Sequence, residues 1–185
     1  LEEGVESIGH NAFRECDTVE YITIAETVTK IGNNAFENCY SLINITLGNA
    51  LRIIHSQAFK NCHNLNFITS NKNNTYSVSD DNKILFNKSK TKLIAFPSAN
   101  GNITIPNYVT TIGKYAFSNC SGLSNVTISN SVKNINDYAF ENCIGLSNIT
   151  LPESVTSIGN YAFSYCTGLS SVTIPDGVIS ISDTA

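Results

Sequence analysis

The chain has 185 residues, 42% of them apolar, a formal net charge of -4 and a pI near 5.3. Only 14% are charged, so the surface is mostly neutral and polar; the acidic balance and the lack of a continuous basic groove argue against nucleic acid. No apolar run approaches the roughly 18 residues of a spanning helix, and neither a secretory signal nor a lipidation motif is visible.

The opening segment, Leu1-Glu2-Glu3-Gly4-Val5-Glu6-Ser7-Ile8-Gly9, matches Leu151 to Gly159, and the last residues stop at Ala185 where a further Ala-Phe would follow. This reads as a fragment that begins and ends in mid-coil. The first recurring motif comes next. Ala-Phe-x-x-Cys stands at Ala12/Phe13/Cys16, Ala35/Phe36/Cys39, Ala58/Phe59/Cys62, Ala116/Phe117/Cys120, Ala139/Phe140/Cys143 and Ala162/Phe163/Cys166. Successive Phe residues are 23 apart, except for a gap of 58 between Phe59 and Phe117. A fixed period of this length predicts stacked repeats that share one core, none of which buries its apolar face alone.

Each motif is followed by a β-branched run with period-2 alternation, which predicts a strand buried on one face. The copies are Ile22-Thr23-Ile24, Ile45-Thr46-Leu47, Ile68-Thr69-Ser70, Ile103-Thr104-Ile105, Val126-Thr127-Ile128, Ile149-Thr150-Leu151 and Val172-Thr173-Ile174. Copies running in one direction pair as parallel strands about 4.8 Å apart, giving one continuous sheet. Then comes Val-x-x-Ile (Val28/Ile31, Val109/Ile112, Val155/Ile158), predicting a short extended segment at a corner. The residue after that Ile is Gly9, Gly32, His55, Gly113, Asn136, Gly159 or Ser182, which predicts a left-handed position there. A helical turn carrying Ala-Phe-x-x-Cys is expected to follow.

One coil breaks the pattern. Thr69 to Thr104 spans 35 residues with no Ala-Phe-x-x-Cys. The apolar runs Lys83 to Phe86 and Lys92 to Pro97, around an Asn-Lys-Ser-Lys turn, predict a β-hairpin in an irregular coil over 70–101. Because the ladder resumes in phase at Ile103, a single domain over 1–185 is expected.

These residues resemble the BspA-like class of leucine-rich repeats, with the frame L-P-x-x-V-T-x-I-G-x-x-A-F-x-x-C-x-x-L-x-x-(V/I) running from Leu151 to Val172. The resemblance covers essentially the whole chain. It implies an α/β repeat solenoid, a right-handed array with a parallel sheet on one face and short helical turns opposite. It further implies a secreted or cell-surface protein used in adhesion to host proteins or other cells, with no shared catalytic motif and a ligand that varies among members.

Six Cys in one repeated slot point inward in a single file, whereas a disulfide needs facing Cβ vectors and zinc needs ligands converging on one point. Free buried thiols are expected, with neither metal nor cofactor. The three His share no column, and no nucleophile–His–carboxylate set or phosphate loop recurs, so an enzyme is not expected.

The candidate binding residues lie on the strand face: Tyr21, Thr23, Asn44, Thr46, Phe67, Thr69, Thr104, Asn125, Thr127, Asn148, Thr150 and Thr173. Thr suits any exposed strand, so the bland reading is a solvated face. The functional one is a lightly charged docking surface for a protein or glycan, such as a host matrix or cell-surface molecule. A second candidate is the hairpin with Lys83, Lys88, Lys90 and Lys92, since irregular loops on regular scaffolds tend to carry recognition. A structural spacer is the alternative function. Asn44, Asn73, Asn87, Asn102, Asn119, Asn125 and Asn148 begin N-x-(S/T) acceptors, several of them by-products of the strand pattern.

Overall fold

The computed structural model describes residues 4–182 and 185, so the Leu1–Glu3 part of the opening coil match and Asp183-Thr184 lie outside the described residues. It divides into two compact units, 1–89 and 90–185.

In the first unit two parallel ladders run along successive coils. The corner segments β1 (Ser7–Ile8), β3 (Lys30–Ile31) and β5 (Ile53–Ile54) form one, pairing Ile8 with Ile31 and Ile31 with Ile54. The strands β2 (Tyr21–Thr23), β4 (Asn44–Leu47) and β6 (Asn66–Thr69) form the other. The irregular coil adds β7 (Tyr76–Val78) and β8 (Leu85–Asn87), paired antiparallel with Val78 opposite Leu85. Their apolar side chains serve the core: Leu85 and Phe86 are fully buried.

The second unit repeats the scheme. One ladder is β10 (Gly101–Thr104), β12 (Leu123–Thr127) and β14 (Asn148–Thr150). The corner ladder joins β9 (Lys92–Ala95), β11 (Thr111–Ile112), β13 (Asn134–Ile135), β15 (Ser157–Ile158) and β16 (Ser180–Ile181), all parallel. The seventh strand copy, Val172-Thr173-Ile174, forms no strand and joins no ladder.

The expected helical turns are absent. Among the described residues there is no helix, and each unit is a β-solenoid rather than an α/β one. The reason is local. Each Ala-Phe-x-x-Cys segment holds two left-handed residues four apart: Asn34 (φ 54°) and Asn38 (φ 63°) in one coil, Tyr138 (φ 57°) and Asn142 (φ 56°) in another. A right-handed helix cannot run through such positions. The chain makes two successive turns instead, with Glu37 N–H donating to Asn34 O at 3.1 Å and Cys39 N–H to Phe36 O at 3.3 Å. The freed amides reach the next coil, as when Phe36 N–H donates to Ala58 O at 2.8 Å and Phe140 N–H to Ala162 O at 2.8 Å. The turn face is therefore bonded coil to coil, as a parallel sheet is.

The left-handed position also falls two residues later than predicted. The Gly after the corner Ile has an ordinary φ and answers a different need: a Cβ on Gly32 would sit 2.7 Å from the carbonyl carbon of Gly9, and one on Gly159 2.4 Å from the Asp137 nitrogen.

Each core is a set of columns. Phe13, Phe36 and Phe59 stack at 5.3 and 5.8 Å in the first unit; Phe117 stacks on Phe140 at 4.8 Å, and Phe140 on Phe163 at 5.5 Å, in the second. Burying each Phe is worth about 1.5–3 kcal/mol, and offset stacking adds to that.

Candidate functional site: the strand faces

On the first unit's strand sheet, Tyr21 lies opposite Asn44 and Thr23 opposite Thr46. Then the register slips by one residue. Asn44 pairs with Asn66, Ile45 with Phe67, Thr46 with Ile68 and Leu47 with Thr69. Phe67, expected on the outer face, is fully buried, with its ring edge-on to Phe59 at 5.0 Å and 75°. A side chain that large gains more from the core than from water, and its N–H donates to Asn82 O at 2.6 Å. A one-residue slip exchanges the two faces of a strand. Ile68 therefore takes the outward place that Thr69 was expected to hold, and is 41% exposed; Thr69 is half-buried. With Tyr21 at 64% exposure, the face carries two apolar side chains: Ile68 extends the Thr23–Thr46 rank, and Tyr21 lies in the neighbouring rank opposite Asn44.

In the second unit Thr104, Thr127 and Thr150 are exposed and in register; beside them Asn102, Asn125 and Asn148 are also in register, Asn125 half-buried and the other two exposed. The Asn125 amide donates to Asn102 Oδ1 at 2.5 Å. The face is thus made of amides and hydroxyls. Thr173 is exposed but outside the ladder.

The four lysines divide between the units. In the first, Lys83 is exposed, while the Lys88 ammonium donates to the Asn73 carbonyl oxygen. Asn73 is itself fully buried: its amide donates to Gly48 O at 2.8 Å, and its Oδ1 accepts Thr75 and Tyr76 N–H at 2.9 Å each. That acceptor sequence is thus a turn cap. In the second unit Lys90 Nζ lies 5.9 Å from the centre of the Tyr108 ring, and Lys92 opens β9 opposite Thr111.

Three groupings were not legible beforehand. The His10 and His55 rings, two coils apart, approach to 5.8 Å above Gly32, and His10 Nδ1 accepts Asn33 N–H at 3.0 Å. Buried Glu37 pairs with Arg14 at 3.3 Å and Lys60 at 3.5 Å, linking three coils. Tyr115, Tyr138 and Tyr161 stack at 4.7 and 5.0 Å, and Lys114 lies 5.5 Å from the first two rings. The signal for the last was Tyr recurring at a 23-residue interval.

All six cysteines are free thiols in the core column, Cys16 half-buried and the others buried. Each thiol after the first donates to the Phe-slot carbonyl of the preceding coil, as Cys62 does to Phe36 O at 3.0 Å and Cys120 to Phe96 O at 3.4 Å. Burial pushes the Cys120 thiol up to about 12. That thiol is therefore unionised at neutral pH.

The BspA type leucine rich repeat model matches in six copies, over residues 1–103 and 95–185. The chain belongs to this family. Solved structures agree. A leucine-rich repeat protein from Eubacterium ventriosum is 26% identical with a TM-score of 0.66, over 93% of this chain and 58% of that one. A leucine rich cell surface protein from Faecalibacterium prausnitzii is also 26% identical, with a TM-score of 0.63 over 92% of this chain and 57% of that one. The T. pallidum leucine rich repeat protein is 29% identical, with a TM-score of 0.55 over 91% and 74%. The chain thus spans under two thirds of the first two. Among curated proteins none matches this sequence. The family and these neighbours are repeat proteins rather than enzyme families, and repeats of this kind bind proteins. Among the described residues no helix is long and apolar enough to cross a membrane.

Proposed function

We propose that this chain is a non-enzymatic adhesion module of a secreted or cell-surface protein, and that it docks partners on its strand faces. The observation that carries the reading is the first unit's face, where Tyr21 and Ile68 stand exposed next to the in-register Thr23–Thr46 pair. Apolar and aromatic anchors set among polar neighbours are what protein partners use as hot spots. The Faecalibacterium prausnitzii protein, described as a cell surface protein, supports the location.

The lysine hairpin is the weaker docking candidate. Lys88 is spent on the Asn73 carbonyl, and Leu85, Phe86 and Leu93 are buried, so the coil packs the core. Because these side chains pack rather than dock, charge removal is a better probe than deletion. The test is surface binding to immobilised collagen, laminin and fibronectin by the chain, by Ile68→Lys and by Lys83→Ser/Lys88→Ser. The proposal expects the first variant to lose binding and the second to keep it. Binding kept by Ile68→Lys and lost by the lysine variant would move the site to the hairpin. Binding by none, with capture only by the longer protein, would make the array a spacer.

A further inference from the structure

The second unit's strand face differs from the first in lacking any anchor. β10, β12 and β14 contain no charged residue, and no exposed aromatic stands on them. Their outward side chains are Asn102, Thr104, Asn125, Thr127, Asn148 and Thr150, so each coil contributes one amide and one hydroxyl. The two ranks are in register, Asn125 with Asn148 and Thr127 with Thr150. A protein partner would find no Trp, Tyr or Arg to build a hot spot on. An anionic glycan would find no cation.

What such a face does offer is repeated neutral hydrogen bonding. An Asn side chain has two donors and an acceptor with two lone pairs, and a Thr hydroxyl can both donate and accept. The single Asn125-to-Asn102 bond at 2.5 Å leaves most of that capacity unused. The step between coils, about 4.8 Å, is close to the length of one sugar ring in an extended β-linked polysaccharide. Successive sugars can therefore meet successive coils in the same way, and the weak gain at each coil adds along the array.

We infer that this face binds a neutral, hydroxyl-rich polysaccharide laid along the coils. The inference rests on the proposal that the strand faces bind, and names the ligand class for the second of them.

The experiment is co-sedimentation of the chain with microcrystalline cellulose and with chitin, using heparin-agarose as the anionic comparator. Depletion onto at least one neutral polymer is expected, with little change between low and high salt. Asn125→Ala/Thr127→Val should weaken it about tenfold or more, a loss of 1.4 kcal/mol or more. Val keeps the strand preference of Thr, and an unchanged melting curve shows that the variant folds. Ile68→Lys, on the other unit, should leave the depletion intact. No depletion onto either neutral polymer, capture by heparin alone, or undiminished depletion by the double variant would overturn the inference. If matrix proteins still bind and Ile68→Lys abolishes that binding, the docking function stands and only the polysaccharide falls.

Discussion

The Cys143 thiol donates to the Phe117 carbonyl oxygen at 3.1 Å, and the same oxygen accepts the Cys120 N–H at 3.1 Å. One carbonyl thus ties its own turn to the coil that follows it. This explains a cysteine at the end of every Ala-Phe-x-x-Cys without disulfide, metal or catalysis. Cys143→Ala should cost about 1–2 kcal/mol, part packing and part hydrogen bond. Cys16, at the open end of the column and half-buried, should cost visibly less. Urea titrations of the two variants compare them; equal losses would contradict the role given to the bond.

Burial holds the Cys120 thiol at about 12 against an ordinary value of 9.0. Between those limits the unfolded chain gives up a proton that the folded chain keeps, so stability falls as pH rises. It is fully present below pH 9 and lost progressively toward 12. The slope is about 1.4 kcal/mol per pH unit for each such thiol. Cys120→Ala should flatten the slope of unfolding free energy above pH 9, measured by urea titration at stepped pH.

Gly32 and Gly9 occupy the same slot in adjacent coils, yet only Gly32 is pressed by a neighbouring backbone. Gly32→Ala should destabilise by about 1–3 kcal/mol through overpacking. Gly9→Ala meets nothing within 4 Å and should be neutral. Melting temperatures of the two variants decide the matter.

Tyr138 is a bulky residue at φ 57°, flanked by ring partners on both sides, whereas Tyr161, at φ 55°, has one. Asn fits the left-handed backbone better at either place. Tyr138→Asn should therefore be less stable than Tyr161→Asn by about one stacking pair, roughly 0.5–1.5 kcal/mol. Urea midpoints of both variants measure the difference.

Much of this architecture was legible in the chain. The 23-residue period gave the coils, the alternation gave the parallel strands, and the repeated Leu, Phe and Cys slots gave the core columns. The helical turns were misread because Ala, Phe and Cys sit where helix and turn share the same burial. The corrective signal was Asn before both Ala and Cys, as at Asn34 and Asn38, two places where positive φ is tolerated. Gly32 was read for conformational freedom when close approach was the cause. The slip that buries Phe67 needs the shape of the cavity beside Phe59, and the His10–His55 approach needs knowledge that Gly32 leaves the gap. Neither is encoded in a local pattern.

The most direct measurement of the docking function is binding of the chain and its Ile68→Lys variant to immobilised collagen, laminin and fibronectin, with melting curves in parallel. A charge at this outward position should abolish binding while the melting temperature stays within a few degrees. Unchanged binding by a folded Ile68→Lys chain would contradict a role for the strand face of the first unit.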